Sequence, residues 1–291
     1  MKTTVALMDL LSDADPEIVR NTLSHLDGVS RESVRAALIG KKVENCVVSF
    51  SGGIDSSILA VLCNSEIALE LFSLCGAGSQ DARFLKASGD FENLGSHFIE
   101  TVSKKEIESA AKRVSQTIEA RSLSQVEDCT AFYLIASKLR LRSKDVKFVL
   151  TANGPDELFC GYDRFRRLVD SLGFDVVEEE MERSLQAALL LKQDVRTVLE
   201  EFDISTLDPF LLDGFTELCR RIPAQLKIKR GEDRLRKRLW RLYGRSLGLP
   251  ESIVLRPKKA MQYSMGIHQT VFKMLKRGEI ADLPFLSVNS N

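Results

Sequence analysis

Val47-Val48-Ser49-Phe50-Ser51-Gly52-Gly53-Ile54-Asp55-Ser56-Ser57-Ile58-Leu59-Ala60-Val61-Leu62 is the stretch that decides the fold. A short β-branched run reads as a buried parallel strand, two glycines break it, and apolar residues at helical spacing resume behind a serine-rich first turn. The reading is strand, loop, helix. Backbone N–H groups of the glycine loop, with the orphan donors and positive dipole end of the following helix, converge on one point and favour an anion there. Ser51, Ser56 and Ser57 add hydroxyls. Asp55 sets a carboxylate beside the same point, where it would repel a bare phosphate unless a cation intervened, so the spacing suggests a magnesium-bound polyphosphate. The Gly-Lys-Ser/Thr ending of the common nucleotide-binding loop is absent, which excludes that reading.

Downstream, 68–74 reads as a second buried strand, 76–81 as a loop, 81–94 as a helix and 97–102 as a third strand. Lys104–Ile118 and Cys129–Leu141 have amphipathic spacing, and 147–151 supplies another strand. Alternating strands and helices imply right-handed crossovers and a doubly wound parallel sheet, with ligands at the carboxyl ends of the strands. Leu74 then falls at the end beside the glycine loop, well placed for an adenine ring. Upstream, 16–25 and 30–38 carry two helical patterns that pack beside the sheet. His25 and His97 read as surface and core histidines.

A second dense motif follows the strand at 147–151: Thr151-Ala152-Asn153-Gly154-Pro155-Asp156-Glu157-Leu158-Phe159-Cys160-Gly161-Tyr162. Gly154-Pro155 marks a turn, and Asp156 and Glu157 place carboxylates in the first turn of a helix, where the dipole favours them. Two strand ends of one sheet would bring Asp55 and Asp156 together around a common cation, and hard oxygen ligands suit Mg2+.

Ser51-Gly52-Gly53-Ile54-Asp55-Ser56-Ser57 resembles the SGGxDS signature of the ATP pyrophosphatases, and the second motif is similar to the (S/T)GxGxDExFxGY segment of the asparagine synthetase family. The chain departs from that family at Asn153, where asparagine synthetases are acidic, at Ala152, which replaces a glycine, and at Cys160. Leu255-Arg256-Pro257-Lys258-Lys259, leading to Gly266, resembles the family's C-terminal loop, whose lysine matches Lys258. A compact ammonium suits oxygens that become more negative during transfer. Asp208-Pro209-Phe210-Leu211-Leu212 resembles another family segment only loosely, and no role is carried to it.

The resemblance implies an α/β fold of the ATP pyrophosphatase type, with a helical segment over 1–42, the nucleotide-binding core over 43–170 and a helical C-terminal part over 171–291. It implies ATP and Mg2+, with Asp55 and Asp156 as metal ligands and Phe50, Ser51, Gly52, Gly53, Asp55, Ser56, Ser57, Leu74, Ala152 and Gly154 around the nucleotide. Lys258, Asp156 and Glu157 are the expected catalytic residues. The implied reaction is adenylation of a carboxylate, aspartate or an analogue, with release of pyrophosphate, followed by attack of an amine or ammonia. Complete asparagine synthetases begin with a glutaminase domain whose nucleophilic cysteine follows the initiator methionine. Here Lys2 follows Met1, so a stand-alone synthetase domain is expected, with ammonia from solution or from a separate glutaminase.

With 291 residues, 44% hydrophobic and 28% charged, the chain can bury one large core or two modest ones. Cys46, Cys63, Cys75, Cys129, Cys160 and Cys219 form no CxxC pair and read as buried thiols in a reducing cytoplasm. No apolar run reaches membrane-spanning length. Formal net charge is zero, which conceals a basic stretch: 220–259 holds fourteen Lys or Arg against three Asp or Glu, a local net of +11. A solvated helical face over 232–243, with Leu235, Leu239 and Leu242 as its apolar stripe, is one reading, and an RNA-binding lobe is the other. Without interleaved aromatics, nucleic acid is the minority reading, and a homo-oligomer stays open. A non-catalytic nucleotide-binding homologue, suggested by Asn153, is the third alternative.

Overall fold

The computed structural model describes residues 10–39, 46–87, 94–231, 233, 235–257 and 265–280. Its centre is a five-stranded sheet in the order β3-β2-β1-β4-β5, every pairing parallel. The strands are β1 (Cys46–Ser49), β2 (Leu69–Gly76), β3 (Ser96–Val102), β4 (Phe148–Leu150) and β5 (Ser205–Leu207). The chain leaves β1 to one side through β2 and β3, then returns to β1's other flank through β4 and β5. The topological switch point therefore lies between β1 and β4, where open α/β sheets bind ligands.

Helices cover both faces, as the near-continuous apolar character of β1 and β2 requires. Val48 aligns with Leu71 on one side and Leu150 on the other, and all three enter the core on one face. That core also contains residues of α1 (Pro16–Leu38), α2 (Ile54–Asn64), α9 (Asp213–Arg221), α11 (Arg238–Ser246) and α12 (Glu251–Val254). Val47, Phe72 and Val149 point to the other face. There they pack with α4 (Lys104–Thr117), α5 (Leu123–Arg142), the end of α8 (Phe174–Leu199) and α13 (Ile267–Lys276). The short α3 (Gln80–Ala87), α6 (Pro155–Leu158), α7 (Asp163–Leu172) and α10 (Ala224–Lys227) complete the chain order. All six cysteines are buried and free, as expected, and among the described residues no helix is long and apolar enough to cross a membrane.

The structure corrects two local expectations and adds a strand. The two N-terminal helical patterns are one continuous helix, capped by Asp15, whose carboxylate accepts from the Glu17 N–H at 2.8 Å. Leu26, Ser30, Ser33 and Val34 carry its buried stripe across Gly28, and that packing outweighs the roughly 1 kcal/mol a mid-helix glycine costs. The helix expected over 232–243 is not continuous where described: Arg236 and Lys237 both adopt φ 53°, and α11 begins only at Arg238. β5, three residues long, had no sequence pattern long enough to mark it.

The helix α4 starts at a reciprocal capping box, in which Ser103 Oγ accepts from the Glu106 N–H and Glu106 accepts from the Ser103 N–H at 2.7 Å. Ser103→Ala is expected to lower stability by about 1 kcal/mol. Urea denaturation checks this, and a midpoint within error of the parent would mean the cap contributes nothing.

Candidate active site

The turn between β1 and α2 has the cradle form expected of it. Gly52 sits at φ +65°, and a Cβ there would lie 2.7 Å from Leu85 Cδ2 and 3.1 Å from Arg256 Nη1, so only glycine fits. The Ser51 N–H donates to Ser56 Oγ (3.2 Å), the two serine hydroxyls lie 3.1 Å apart, and the Gly53 N–H donates to Ser51 Oγ (3.3 Å). Gly53 caps α2 without any side-chain bond, which leaves first-turn N–H donors of this 11-residue helix available. Ser57 Oγ is buried with no hydrogen-bond partner among the described residues. Beside the loop, a cleft at the carboxyl ends of β1 and β2 is walled by Phe50, Ser51, Leu74, Asp81, Leu85 and Ile135. Leu74 and Phe50 therefore share one cleft beside the glycine loop.

Asp55 and Asp156 come from different strand ends and meet on one nitrogen. Lys237 Nζ lies 2.7 and 2.6 Å from the two oxygens of Asp55 and 2.7 Å from Asp156 Oδ1, and its side chain is only 1% exposed. The indole N–H of Trp240 donates to Asp55 Oδ1 at 2.9 Å. Gly161 makes the approach possible: a Cβ there would fall 1.9 Å from Asp156 Oδ1 and 2.4 Å from Lys237 Cε. An ammonium held by both carboxylates shows that the pair can share a single cation. Among the described residues no group of three or more His, Cys, Asp or Glu could hold a metal. Two carboxylates with the remaining shell from phosphate and water are the arrangement that suits Mg2+.

Sequence reasoning missed Lys237, and the turn explains why. The left-handed backbone at 236 and 237 carries the lysine off the solvated face and under α11. Arg241 fixes that turn: its guanidinium donates to the carbonyls of Leu235 (3.0 Å), Arg236 (2.8 Å), Val254 (2.5 Å) and Arg256 (3.0 Å). Burial pulls its pKa down to about 10. The available signal was Trp240, the chain's single tryptophan, three residues beyond Lys237. The same staple seats Arg256, which donates to the Gly52 carbonyl (2.8 Å), pairs with Asp81 (2.5 Å) and lies over the Phe84 ring. Lys258, two residues on, lies outside the described residues.

The second motif divides. Gly154 (φ +112°) lets the chain pass Phe210, whose carbonyl would stand 2.5 Å from a Cβ, and Ala152 packs against the core. Glu157 points elsewhere than Asp156: it is buried and accepts from the Tyr162 hydroxyl at 2.5 Å. Burial, and then the Asp156 charge, push its pKa up to about 7. Asn153 donates to Asp208 (3.1 Å), a second residue the sequence reading passed over. Asp208 is buried at the end of β5 and also accepts from Thr151 (2.5 Å) and Thr206 (3.0 Å), with Lys192 at 3.3 Å. A carboxylate therefore stands next to Asn153, supplied from the adjacent strand.

Part of the basic stretch is spent inside the fold. Lys227 is buried and donates to the Cys219 carbonyl at 2.6 Å, with its pKa lowered by burial. Arg220 pairs with Glu182, Arg236 with Asp163 and Arg238 with Asp13. With Lys237, Arg241 and Arg256 also engaged, the local net of +11 overstates the charge this stretch presents at the surface.

His97, on β3, lies 2.8 Å from Ser73 Oγ through Nε2 and meets the Phe50 ring edge-on. Burial lowers its pKa. The unfolded chain therefore takes up this proton first, and the contribution of His97 to stability is lost as pH falls below about 6.5. Denaturation at pH 5 and pH 7.5 should show a larger acid loss for the parent than for His97→Gln; equal losses would acquit the histidine.

The family model for asparagine synthase matches residues 25–204, more than half of the chain. An asparagine synthetase (glutamine-hydrolyzing) of Oryza sativa is 27% identical over 81% of this chain and 42% of its own length. Asparagine synthetase B (glutamine-hydrolyzing) of Escherichia coli is 26% identical over 79% of this chain and 42% of its own. An asparagine synthetase domain-containing protein of Drosophila melanogaster is 24% identical over 92% of this chain and 52% of its own. The chain spans about half the length of the curated relatives it matches. The matched region contains the glycine loop, both carboxylates that converge on Lys237 and the switch point between β1 and β4, and on that evidence the chain belongs to the asparagine synthase family.

Proposed function

We propose that this chain is an ATP-dependent, AMP-forming carbon–nitrogen ligase that activates a small carboxylate and passes it to an amine. The observation that carries the proposal is the meeting of Asp55 and Asp156 on one cationic centre beside the uncapped start of α2. Loop N–H groups with Ser51, Ser56 and Ser57 would hold the β- and γ-phosphates of ATP, and the Phe50–Leu74 cleft its adenine. Asp55 and Asp156 would hold Mg2+, which supplies charge stabilisation on the leaving pyrophosphate. A substrate carboxylate oxygen attacks the α-phosphorus, the bond to the bridging oxygen breaks, and pyrophosphate leaves with the electron pair. The amine then attacks the acyl carbon, AMP departs and the amine's proton is lost to solvent. Lys258 is assigned the task of offsetting charge on the α-phosphate in both steps. Aspartate is the first acceptor to test, with ammonia from solution or from a glutaminase; the Asn153–Asp208 pair marks where the acceptor site departs from the asparagine synthetase pattern.

The test is pyrophosphate and AMP release from Mg-ATP with aspartate and ammonium against a panel of other carboxylates, with Lys258→Ala as control. Aspartate-dependent release with asparagine formed supports the reading in full. Release with another acid keeps the chemistry and replaces the substrate. ATP binding without AMP from any acid, with or without an added glutaminase, would sink the ligase and favour a nucleotide-binding homologue.

A further inference from the structure

The carboxylate pair already has a cation, and it is covalently part of the chain. Lys237 Nζ is within 2.7 Å of three oxygens from two aspartates. Nothing about this contact is loose: the lysine side chain is 1% exposed, and its stem lies against Gly161, where even a methyl would collide. Arg241 clamps the turn that delivers it, and Trp240 fixes Asp55 from the other side. Two carboxylates face one ammonium, and their side chains are only 13% and 17% exposed. A divalent ion arriving alone would have to displace the ammonium or sit beside it, two positive centres sharing the same oxygens, and would drive a buried ammonium off both of its carboxylate partners.

A polyphosphate changes the balance. Its oxygens would arrive at the start of α2, in the same turn as Asp55, and give the ammonium somewhere to go. Resting on the nucleotide reading above, we propose that Lys237 is a resident counter-ion that keeps Asp55 and Asp156 shut to free divalent cations. The site thus accepts a cation together with its polyphosphate, and the lysine transfers from the carboxylates to phosphate oxygens as they enter. Lys237 is in this sense a positioning residue with two alternative sets of partners.

The test is Mn2+ binding to the full chain, followed by the loss of the free Mn2+ spin-resonance signal, without nucleotide. The parent is expected to bind Mn2+ no more tightly than Asp55→Asn does. Lys237→Met, which keeps the stem and removes the charge, is expected to bind at least about 100-fold more tightly than the parent and to gain melting temperature on adding Mn2+, a gain the parent lacks. A merely structural lysine would give the opposite result, since disrupting the pocket would weaken metal binding. Micromolar Mn2+ binding by the nucleotide-free parent that is lost in Asp55→Asn overturns the proposal, and this comparison stands even if Lys237→Met does not fold. Equal Mn2+ affinity in the parent and a folded Lys237→Met also overturns it. Binding of Mg-ATP by the parent, measured alongside by calorimetry, separates the two readings: its absence sinks the nucleotide site, whereas Mg-ATP binding together with tight binding of free Mn2+ sinks only the counter-ion.

Discussion

Asp55→Asn is expected to lower pyrophosphate release from Mg-ATP by about a thousandfold or more while leaving the protein folded. Mechanism and packing point to the same residue. In the mechanism proposed above, losing one charged oxygen from the Asp55–Asp156 pair would remove stabilisation that develops as pyrophosphate leaves, and a thousandfold corresponds to about 4 kcal/mol of barrier. The structural cost is smaller, because the amide is isosteric, its oxygen can still accept from Trp240, and Lys237 keeps Asp156 as its ion-pair partner. The variant should therefore separate chemistry from stability: a collapsed rate with a melting transition a few degrees below the parent. A rate within tenfold of the parent would remove Asp55 from the cation site. A rate lost together with the fold would leave the carboxylate's part in catalysis unproven, and Asp156→Asn would then be measured in its place.

Trp240→Ala is expected to cost about 4–5 kcal/mol of stability, the largest effect of any single truncation in this fold. Trp240 is 0% exposed, stacked on Phe159 at 4.9 Å between ring centroids and flanked by Phe210 (5.2 Å), Phe215 (5.9 Å) and Tyr243 (5.4 Å). Phe159 comes from the second motif, Phe210 from the turn after β5 and Phe215 from α9, so one ring joins segments distant in the chain. Cavity formation on removing a buried aromatic accounts for about 3–5 kcal/mol, and the lost N–H bond to a carboxylate adds about 2 kcal/mol more before relaxation returns some of it. Trp240→Phe divides the two: it retains most of the ring contacts, costs about 2–3 kcal/mol, and removes the indole N–H from Asp55 while leaving the Lys237 contact in place. Urea midpoints for the two variants measure the partition. Equal losses would mean that the hydrogen bond, not the cluster, carries the energy.

The glycine loop and its flanking strand and helix were legible because each is a local device: β-branched residues, then two glycines, then an apolar pattern of fixed period. The convergence of Asp55 and Asp156 was legible one step further on, because parallel topology places successive strand ends along one edge. Lys237 was not. Its inward course depends on two left-handed residues, Arg236 and Lys237, neither of them a glycine or asparagine that would announce such a turn. Asp208 escaped for a related reason, since β5 is held by pairing with β4 rather than by any periodicity of its own. The basic stretch misled because composition counts charges without saying where they point. Arg241 and Lys227 are buried donors to backbone carbonyls, and Arg238 reaches back to Asp13 at the other end of the chain.

The contact between Asp55 and Lys237 joins residues 182 positions apart, and synthesis of the chain must live with that interval. At about 5–20 residues per second, a ribosome makes the glycine loop roughly 10–40 s before it makes the lysine that neutralises it. Asp156 follows the loop by about a hundred residues, so the growing sheet can draw the two carboxylates together before Lys237 is made. Their mutual repulsion opposes closure of the β1–β4 edge during that window. Closure of the ligand edge thus waits on Lys237, and the turn that delivers it acts as the latch.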